Sequence, residues 1–189
     1  MPTYDIANRL SDLWQERVTQ SPKFIDTDHA YVHEGIAYDA FWTGVLAAAS
    51  SQHFQFSTPA GKYVHFRPAS VGINGGIATF RIFLAASGSA TPVSGGSTFT
   101  PVNRKHTSTS ASQVTFNTGI ATSSTANYTL KYETKIYGGS GPGGSRTGQA
   151  KGEPLEWIFT PGRDYVFMVT TTAETDVGLN LTWYEEDNA

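Results

Sequence analysis

The chain has 189 residues, of which 15% are charged and 13% aromatic, and a formal net charge of −3 at pH 7. This length suits one domain with a sizeable core, and the low charge density without a basic patch argues against a nucleic-acid partner. Cysteine is absent, which excludes disulfides and thiol chemistry. Because we find neither a bilayer-length apolar run nor a signal peptide, we expect a soluble protein made in the cytosol, without a membrane partner.

The first predicted element is an amphipathic helix over residues 4–18, which Ser21 and Pro22 end. Its apolar stripe consists of Ile6, Leu10, Leu13, Trp14 and Val18. Two interpretations remain open: the stripe covers one end of its own β-domain, or it belongs to an arm that docks on a neighbouring subunit. We therefore divide the chain into an N-terminal helix or arm, residues 1–25, and a β-domain, residues 26–189.

The next stretch is less regular. Residues 24–28 and 30–34 are predicted as short strands or extended chain, and residues 37–50 are compatible with a buried strand or a helical turn. From Gln52 onward apolar and polar residues alternate, which predicts strands over residues 52–57 and 63–67, joined as a hairpin.

Alternation continues toward the C-terminus, interrupted by a Ser/Thr/Gly-rich tract over residues 87–124 that predicts surface loops with weak edge strands. Residues 165–171 are instead almost continuously apolar, which suits a strand covered on both faces. The last two strands, residues 165–171 and 177–184, are predicted as a hairpin at the centre of an antiparallel sheet. Further strands are predicted over residues 77–85, 126–137 and 155–159. In residues 126–137 we expect one apolar face made of Tyr128, Leu130, Tyr132 and Ile136. These seven strands predict an all-β antiparallel sandwich of jelly-roll type.

One polar cluster has the chemistry of a metal site, namely Asp26, Asp28, His29, His33 and Glu34. In an extended chain the two histidines lie on the face opposite to residues 26, 28 and 34. A helix would bring the histidines to one face, but nothing around them has helical periodicity. We therefore predict no metal and no cofactor.

Catalytic motifs are equally weak. A glycosidase needs two carboxylates across a cleft, and the candidate pairs are Glu153 with Glu156 and Glu174 with Asp176. Each pair lies at a strand edge or hairpin tip, where charge usually serves solubility. His65 is predicted as a surface or interface residue rather than a base, and the sequence has no Gly-x-Ser-x-Gly elbow. We predict no catalytic residue and no enzyme activity.

The tryptophans allow a binding function. Trp42, Trp157 and Trp183 have the chemistry of a sugar-stacking platform, as in carbohydrate-binding modules. The alternative is that Trp157 and Trp183 fill the core, because both lie in apolar alternating runs.

A further set of segments is informative through its order: residues 33–38, 61–66, 99–104, 143–146, 156–159, 161–165 and 181–185. Together they resemble the head decoration, or cement, proteins of tailed phages. The resemblance covers most of the chain from about residue 29 onward. It implies a β-sandwich on the outside of an icosahedral head, often a homotrimer, that clamps neighbouring major capsid proteins and has no catalytic residue.

From this resemblance we expect a virion protein on the capsid exterior whose partners are the major capsid protein and further copies of itself. Host-surface glycans are an additional candidate partner, and a carbohydrate-binding sandwich of a phage fibre or surface protein is the alternative function. The role of the N-terminal stripe is our own hypothesis: Leu10, Leu13 and Trp14 dock on the shell or on a neighbouring protomer.

Overall fold

The computed structural model describes residues 27–85, 96–119, 128–138 and 156–187, and five two-residue pairing segments at 14–15, 22–23, 93–94, 121–122 and 146–147. These residues form one helix and sixteen strands. In chain order they are β1 (Trp14–Gln15), β2 (Pro22–Lys23), α1 (Thr27–Glu34), β3 (Ala37–Leu46), β4 (Ser51–Ser57), β5 (Lys62–Ile73), β6 (Ile77–Ala85), β7 (Val93–Ser94), β8 (Ser97–Phe99), β9 (Val102–Asn103), β10 (Thr115–Thr118), β11 (Ala121–Thr122), β12 (Tyr128–Tyr137), β13 (Arg146–Thr147), β14 (Trp157–Phe159), β15 (Asp164–Thr171) and β16 (Thr175–Asp187).

Two six-stranded antiparallel sheets share one hydrophobic core, which confirms the predicted all-β sandwich. The first sheet has the order β12-β6-β15-β4-β10-β8. The second has the order β13-β5-β16-β3-β9, and β14 also pairs with β5. Two short two-stranded pairs, β1–β2 and β7–β11, are not hydrogen-bonded to either sheet. Within the described ranges, the helix is not long and apolar enough to cross a bilayer.

The long strands pair in a nested way. The first of the long strands, β3, pairs with the last, β16. Inside this pair, β4 pairs with β15, β5 with β14, and β6 with β12. Additional pairs, β5 with β16 and β6 with β15, close the two sheets. The Ser/Thr-rich tract contributes β8, β9 and β10, which are the predicted weak strands. They widen each of the two sheets at one edge.

Aromatic side chains fill the space between the sheets. Phe56 and Trp183 are fully buried, and their ring centroids lie 5.2 Å apart. Phe56 also stacks on Phe167 of its own sheet and meets Phe66 of the opposite sheet edge-on. Such pairs contribute beyond the area they bury, so that a cysteine-free chain obtains a dense core from aromatic packing.

Both predicted hairpins are wrong. β15 and β16 are central strands, as expected, but they belong to different sheets, and the same is true of β4 and β5. The turn residues mark where the chain reverses, but each strand buries one face against the common core. The chain therefore crosses to the facing sheet at these turns instead of pairing with its neighbour in sequence.

The short strands or extended chain predicted over residues 24–28 and 30–34 are also wrong from residue 27 onward, because Thr27–Glu34 is helical. The helix ends in a Schellman motif: Gly35 has φ 77°, its N–H bonds to the Val32 carbonyl at 3.1 Å, and the Ile36 N–H bonds to the Tyr31 carbonyl at 3.2 Å. Gly35 is a typical residue to end a helix, but the helix was not predicted because residues 27–34 lack an amphipathic pattern.

The N-terminal predictions remain largely untested. Most of residues 4–18 lies outside the described part of the chain, and so does most of residues 1–25. At Trp14–Gln15 the backbone pairs antiparallel with Pro22–Lys23, so the predicted helix is wrong at these two residues.

The predicted apolar face of β12 is divided by a β-bulge. The register shifts between Leu130 and Tyr132. Ile136 is buried in the main core and Tyr132 packs against it, whereas Tyr128 packs on the outer side of the first sheet with Phe83. The strict alternation that we assumed therefore fails at one extra residue.

Candidate functional site

Most of the exposed large apolar side chains lie on the outer face of the second sheet. Seven large hydrophobic residues are exposed in the described part, and five of them lie on this sheet. They are Phe41 at 57%, Val45 at 65%, Tyr63 at 39%, Val102 at 58% and Ile158 at 62%. Exposed apolar groups that cluster on one face of a soluble domain are a common mark of a binding surface.

One end of this face is open, because two adjacent strands carry glycine there. Gly72 of β5 pairs directly with Gly178 of β16, which pairs with Thr43 of β3. Among the described residues, a Cβ added at either glycine would meet nothing within 4 Å. Phe41 and Val45 lie two positions to either side of Thr43 on β3. We call Phe41, Thr43, Val45, Gly72 and Gly178 the glycine patch.

The fold itself does not require these two glycines. Neither has a left-handed φ, and both lie within strands, where glycine is unfavourable. Gly44 provides the contrast, because its Cβ would lie 2.5 Å from Cζ2 of Trp42 on the core side. Glycine at position 44 is explained by packing, whereas Gly72 and Gly178 leave an open platform that a partner can approach closely.

A polar and aromatic cluster occupies the other end of the same face. His65 Nδ1 lies 2.9 Å from Glu156 Oε1, and His65 Nε2 lies 3.3 Å from Glu186 Oε2. The Tyr184 hydroxyl donates to Glu156, and the His65 and Tyr184 rings stack at 4.4 Å. The His65 side chain is only 13% exposed. His65 was predicted as a surface or interface residue: within the chain its ring is mostly covered, and the interface alternative stays a prediction.

This cluster attaches α1 to the sheet. The Tyr31 ring of α1 stacks on Tyr184, with centroids 3.9 Å apart. Burial raises the pKa of Tyr31 and, together with the hydrogen bond to Glu156, raises the pKa of Tyr184. Both phenols therefore stay neutral and can pack against the sheet and donate hydrogen bonds.

The chemical capacity of the cluster is limited by its own contacts. Both ring nitrogens of His65 already have a carboxylate partner, so neither is aimed at an open cavity. The adjacent depression, lined by Tyr31, Tyr184 and Arg67 among others, is open to solvent and has an interior volume of about 10 Å³, room for about one water molecule. Ligand pockets usually begin at about 300 Å³, which makes a latch between α1 and the sheet the better description.

The predicted metal ligands are partly brought together. Asp26 lies outside the described residues, and only the backbone of Asp28 is described. His29 and His33 share one face of α1, with their Nε2 atoms 2.7 Å apart, and Glu34 is exposed beside them. Within the described ranges no group of three or more His, Asp or Glu side chains is arranged so that it could hold a metal ion.

The structure describes three of the four candidate catalytic carboxylates. Glu153 lies outside the described residues, Glu156 belongs to the His65 cluster, and Glu174 and Asp176 are exposed where β15 leads into β16.

The predicted core position of Trp157 and Trp183 is confirmed: Trp183 is fully buried and Trp157 packs against the core. Trp42 is also partly buried, edge-on to Phe54 at 5.1 Å.

Of the predicted interface residues, Ile6, Leu10, Leu13 and Val18 lie outside the described residues, and Trp14 is described only through its backbone. Sequence reasoning missed the glycine patch and the His65 cluster. Gly72 and Gly178 stood out only as glycines within strands, and residues 65, 156 and 184 are too far apart in sequence to signal a contact. No protein-family model, curated protein or solved structure matches this chain.

Proposed function

We propose that this protein is a structural virion protein that binds the outside of a phage capsid and cements neighbouring major capsid proteins. The observation that carries the proposal is the glycine patch, an open surface on the outer face of the second sheet with two exposed apolar side chains, Phe41 and Val45. The resemblance to head decoration proteins supplies the partner, and the patch supplies a surface through which the partner is held. The mechanism is binding, without a reaction.

We also infer that the sandwich is a jelly roll. The nested pairing of β3, β4, β5 and β6 with β16, β15, β14 and β12 supports this, because rolling up one long antiparallel ribbon of four strand pairs produces that architecture. Jelly rolls occur in viral capsid and lectin domains, so the architecture is compatible with cementing and with its alternative.

The outer face of the second sheet can supply the required contact area. A specific interface buries about 800 Å² on each partner, usually around an apolar centre with a polar rim. Phe41 and Val45 stand about 13 Å apart along β3, since strands rise about 3.3 Å per residue. Beside them, Gly72 and Gly178 leave the outer surface of β5 and β16 open. Asp176 and Asn180, both exposed, provide polar groups at the border.

The test is co-sedimentation with empty capsids of the phage that encodes the chain. Gly178→Lys places a long charged side chain in the open space of the patch, whereas Thr79→Lys, on the outer face of the first sheet, is the matched control. We expect the wild type and Thr79→Lys to sediment with capsids and Gly178→Lys to stay in solution. Binding of Gly178→Lys at wild-type level would exclude the patch, and no binding of the wild type would refute the function.

The N-terminal stripe is tested separately. Replacing Leu10, Leu13 and Trp14 together with Ser should leave the β-domain folded but abolish capsid binding if the arm docks on the shell. Light scattering behind a sizing column reports self-association, since a homotrimer has about three times the 20.4 kDa mass of the chain. Unchanged capsid binding by the triple variant would remove the arm from the interface.

The alternative is a carbohydrate-binding sandwich. Tyr63 and Tyr137 are exposed at 39% and 60% and have the chemistry to stack on a sugar ring. Burial of Trp183 and partial burial of Trp42 and Trp157 count against a tryptophan platform. Saturable binding on a glycan array, lost in Tyr63→Ala or Tyr137→Ala, would favour this alternative over cementing.

A further inference from the structure

The two histidines of α1 form a pair that the cementing function does not use. His29 and His33 are four residues apart on one helix face and both are exposed. Their Nε2 atoms are 2.7 Å apart and their ring centroids 4.5 Å apart. Since a hydrogen bond between two ring nitrogens needs an acceptor, at least one Nε2 must present a lone pair at this point.

The distance fits a shared metal ion. Zinc–imidazole bonds are about 2.0–2.1 Å long, so two nitrogens on one ion stand about 2.9–3.3 Å apart for bond angles between a right angle and a tetrahedral one. The observed pair needs to open by only a few tenths of an ångström. We propose that His29 and His33 bind a divalent transition-metal ion that accepts imidazole, with water completing its coordination.

The choice of ion follows from ligand chemistry. Two imidazoles suit Cu²⁺, Ni²⁺ and Zn²⁺, and affinity for such a site rises toward Cu²⁺ and falls again at Zn²⁺. Mg²⁺ and Ca²⁺ prefer oxygen ligands and should not compete. With two protein ligands the site is open, which makes it an exchangeable surface site.

The backbone around the pair is already held. Lys105 Nζ donates to the His33 carbonyl at 2.6 Å, and the Schellman motif at Gly35 ends the helix directly after the pair. Tyr31, between the two histidines in sequence, is stacked on Tyr184. Only the helix brings residues 29 and 33 together, so metal binding must favour the helical state and stabilise it by mass action.

The experiment titrates Cu²⁺ and Zn²⁺ into the full chain by calorimetry. We expect one site, tighter for Cu²⁺, with at least a tenfold loss of affinity in His29→Gln and in His33→Gln. His106→Gln is the matched control, because His106 is an exposed loop histidine outside the pair, and it should bind as the wild type does. Wild-type Cu²⁺ affinity in His33→Gln would overturn the proposal.

A second readout does not depend on affinity. The electron paramagnetic resonance spectrum of Cu²⁺ should show nitrogen coupling from two imidazoles in the wild type and from one in either variant. Circular dichroism of the metal-free variants checks that both remain folded. Coupling from a single nitrogen in the wild type would show that the two histidines do not share an ion, and the proposal would then be wrong.

Discussion

Gly178→Val should make the protein more stable, although glycine occupies this position in the native chain. A Cβ at residue 178 meets nothing within 4 Å among the described residues, so valine adds no clash there. Glycine within a strand costs roughly 0.5–1 kcal/mol relative to alanine, and β-branched residues are preferred in strands on a scale of about 1 kcal/mol. We therefore expect the free energy of unfolding to rise by about 1 kcal/mol.

Gly44→Ala is the matched comparison and should have the opposite sign. Its Cβ would lie 2.5 Å from Trp42 Cζ2, about 1 Å inside an ordinary carbon–carbon contact. The Trp42 ring is held against Phe54 in the core and has little room to move. Overpacking of this kind costs about 1–3 kcal/mol, which outweighs the gain from removing a glycine.

Urea unfolding followed by fluorescence measures both changes. With a slope of about 1–3 kcal/mol per molar urea, a change of 1 kcal/mol moves the midpoint by roughly 0.3–1 M. The Gly178→Val midpoint should rise and the Gly44→Ala midpoint should fall. If Gly178→Val loses as much stability as Gly44→Ala, the patch glycines serve the fold, and the argument that they form a binding platform fails.

Three further predictions concern buried polar groups. Glu185 is buried and accepts hydrogen bonds from Ser112 Oγ, the Gln113 N–H and Trp183 Nε1. Glu185→Ala should therefore lower the free energy of unfolding, measured in urea, by about 3–4 kcal/mol. The control Glu174→Ala, at an exposed position, should change it by no more than about 0.5 kcal/mol. The raised pKa of Tyr184 means that its neutral form is favoured in the folded state; this stability is complete below the ordinary value of 10.0 and is lost as pH rises beyond it. Tyr184→Phe removes the hydrogen bond that the hydroxyl donates to Glu156, so it should be less stable than wild type at neutral pH, and the difference should narrow in unfolding curves above about pH 10; a constant gap would contradict the assignment. Burial lowers the pKa of His53, so its contribution is present above the ordinary value of 6.5 and is lost as pH falls. His53→Gln should flatten the decline in unfolding free energy between about pH 7 and about pH 5, and an unchanged slope would show that another group titrates there.

The candidate site could be predicted only in fragments. The burial of Trp157 and Trp183 followed from their apolar alternating runs, and the pairing of His29 with His33 was foreseen as the consequence of a helix that the surrounding residues did not predict. The His65 cluster joins β5, β16 and the segment before β14, and no local pattern relates these three places. The direct pairing of Gly72 with Gly178 likewise depends on the register between β5 and β16.

The sequence by itself determined which residues face the core and where the chain reverses. Period-two alternation is a local property, and it correctly located the strands that contain Phe56 and Leu179. A continuous apolar run located the strand that contains Phe167, and all three side chains are fully buried in the structure. The tertiary structure alone decided which strands lie side by side. At each turn a strand can pair with its neighbour or cross the core, and the choice depends on how all the aromatic side chains of both sheets pack together. That packing places β15 and β16 in different sheets, introduces a bulge after Leu130, and aligns two glycines on one open face.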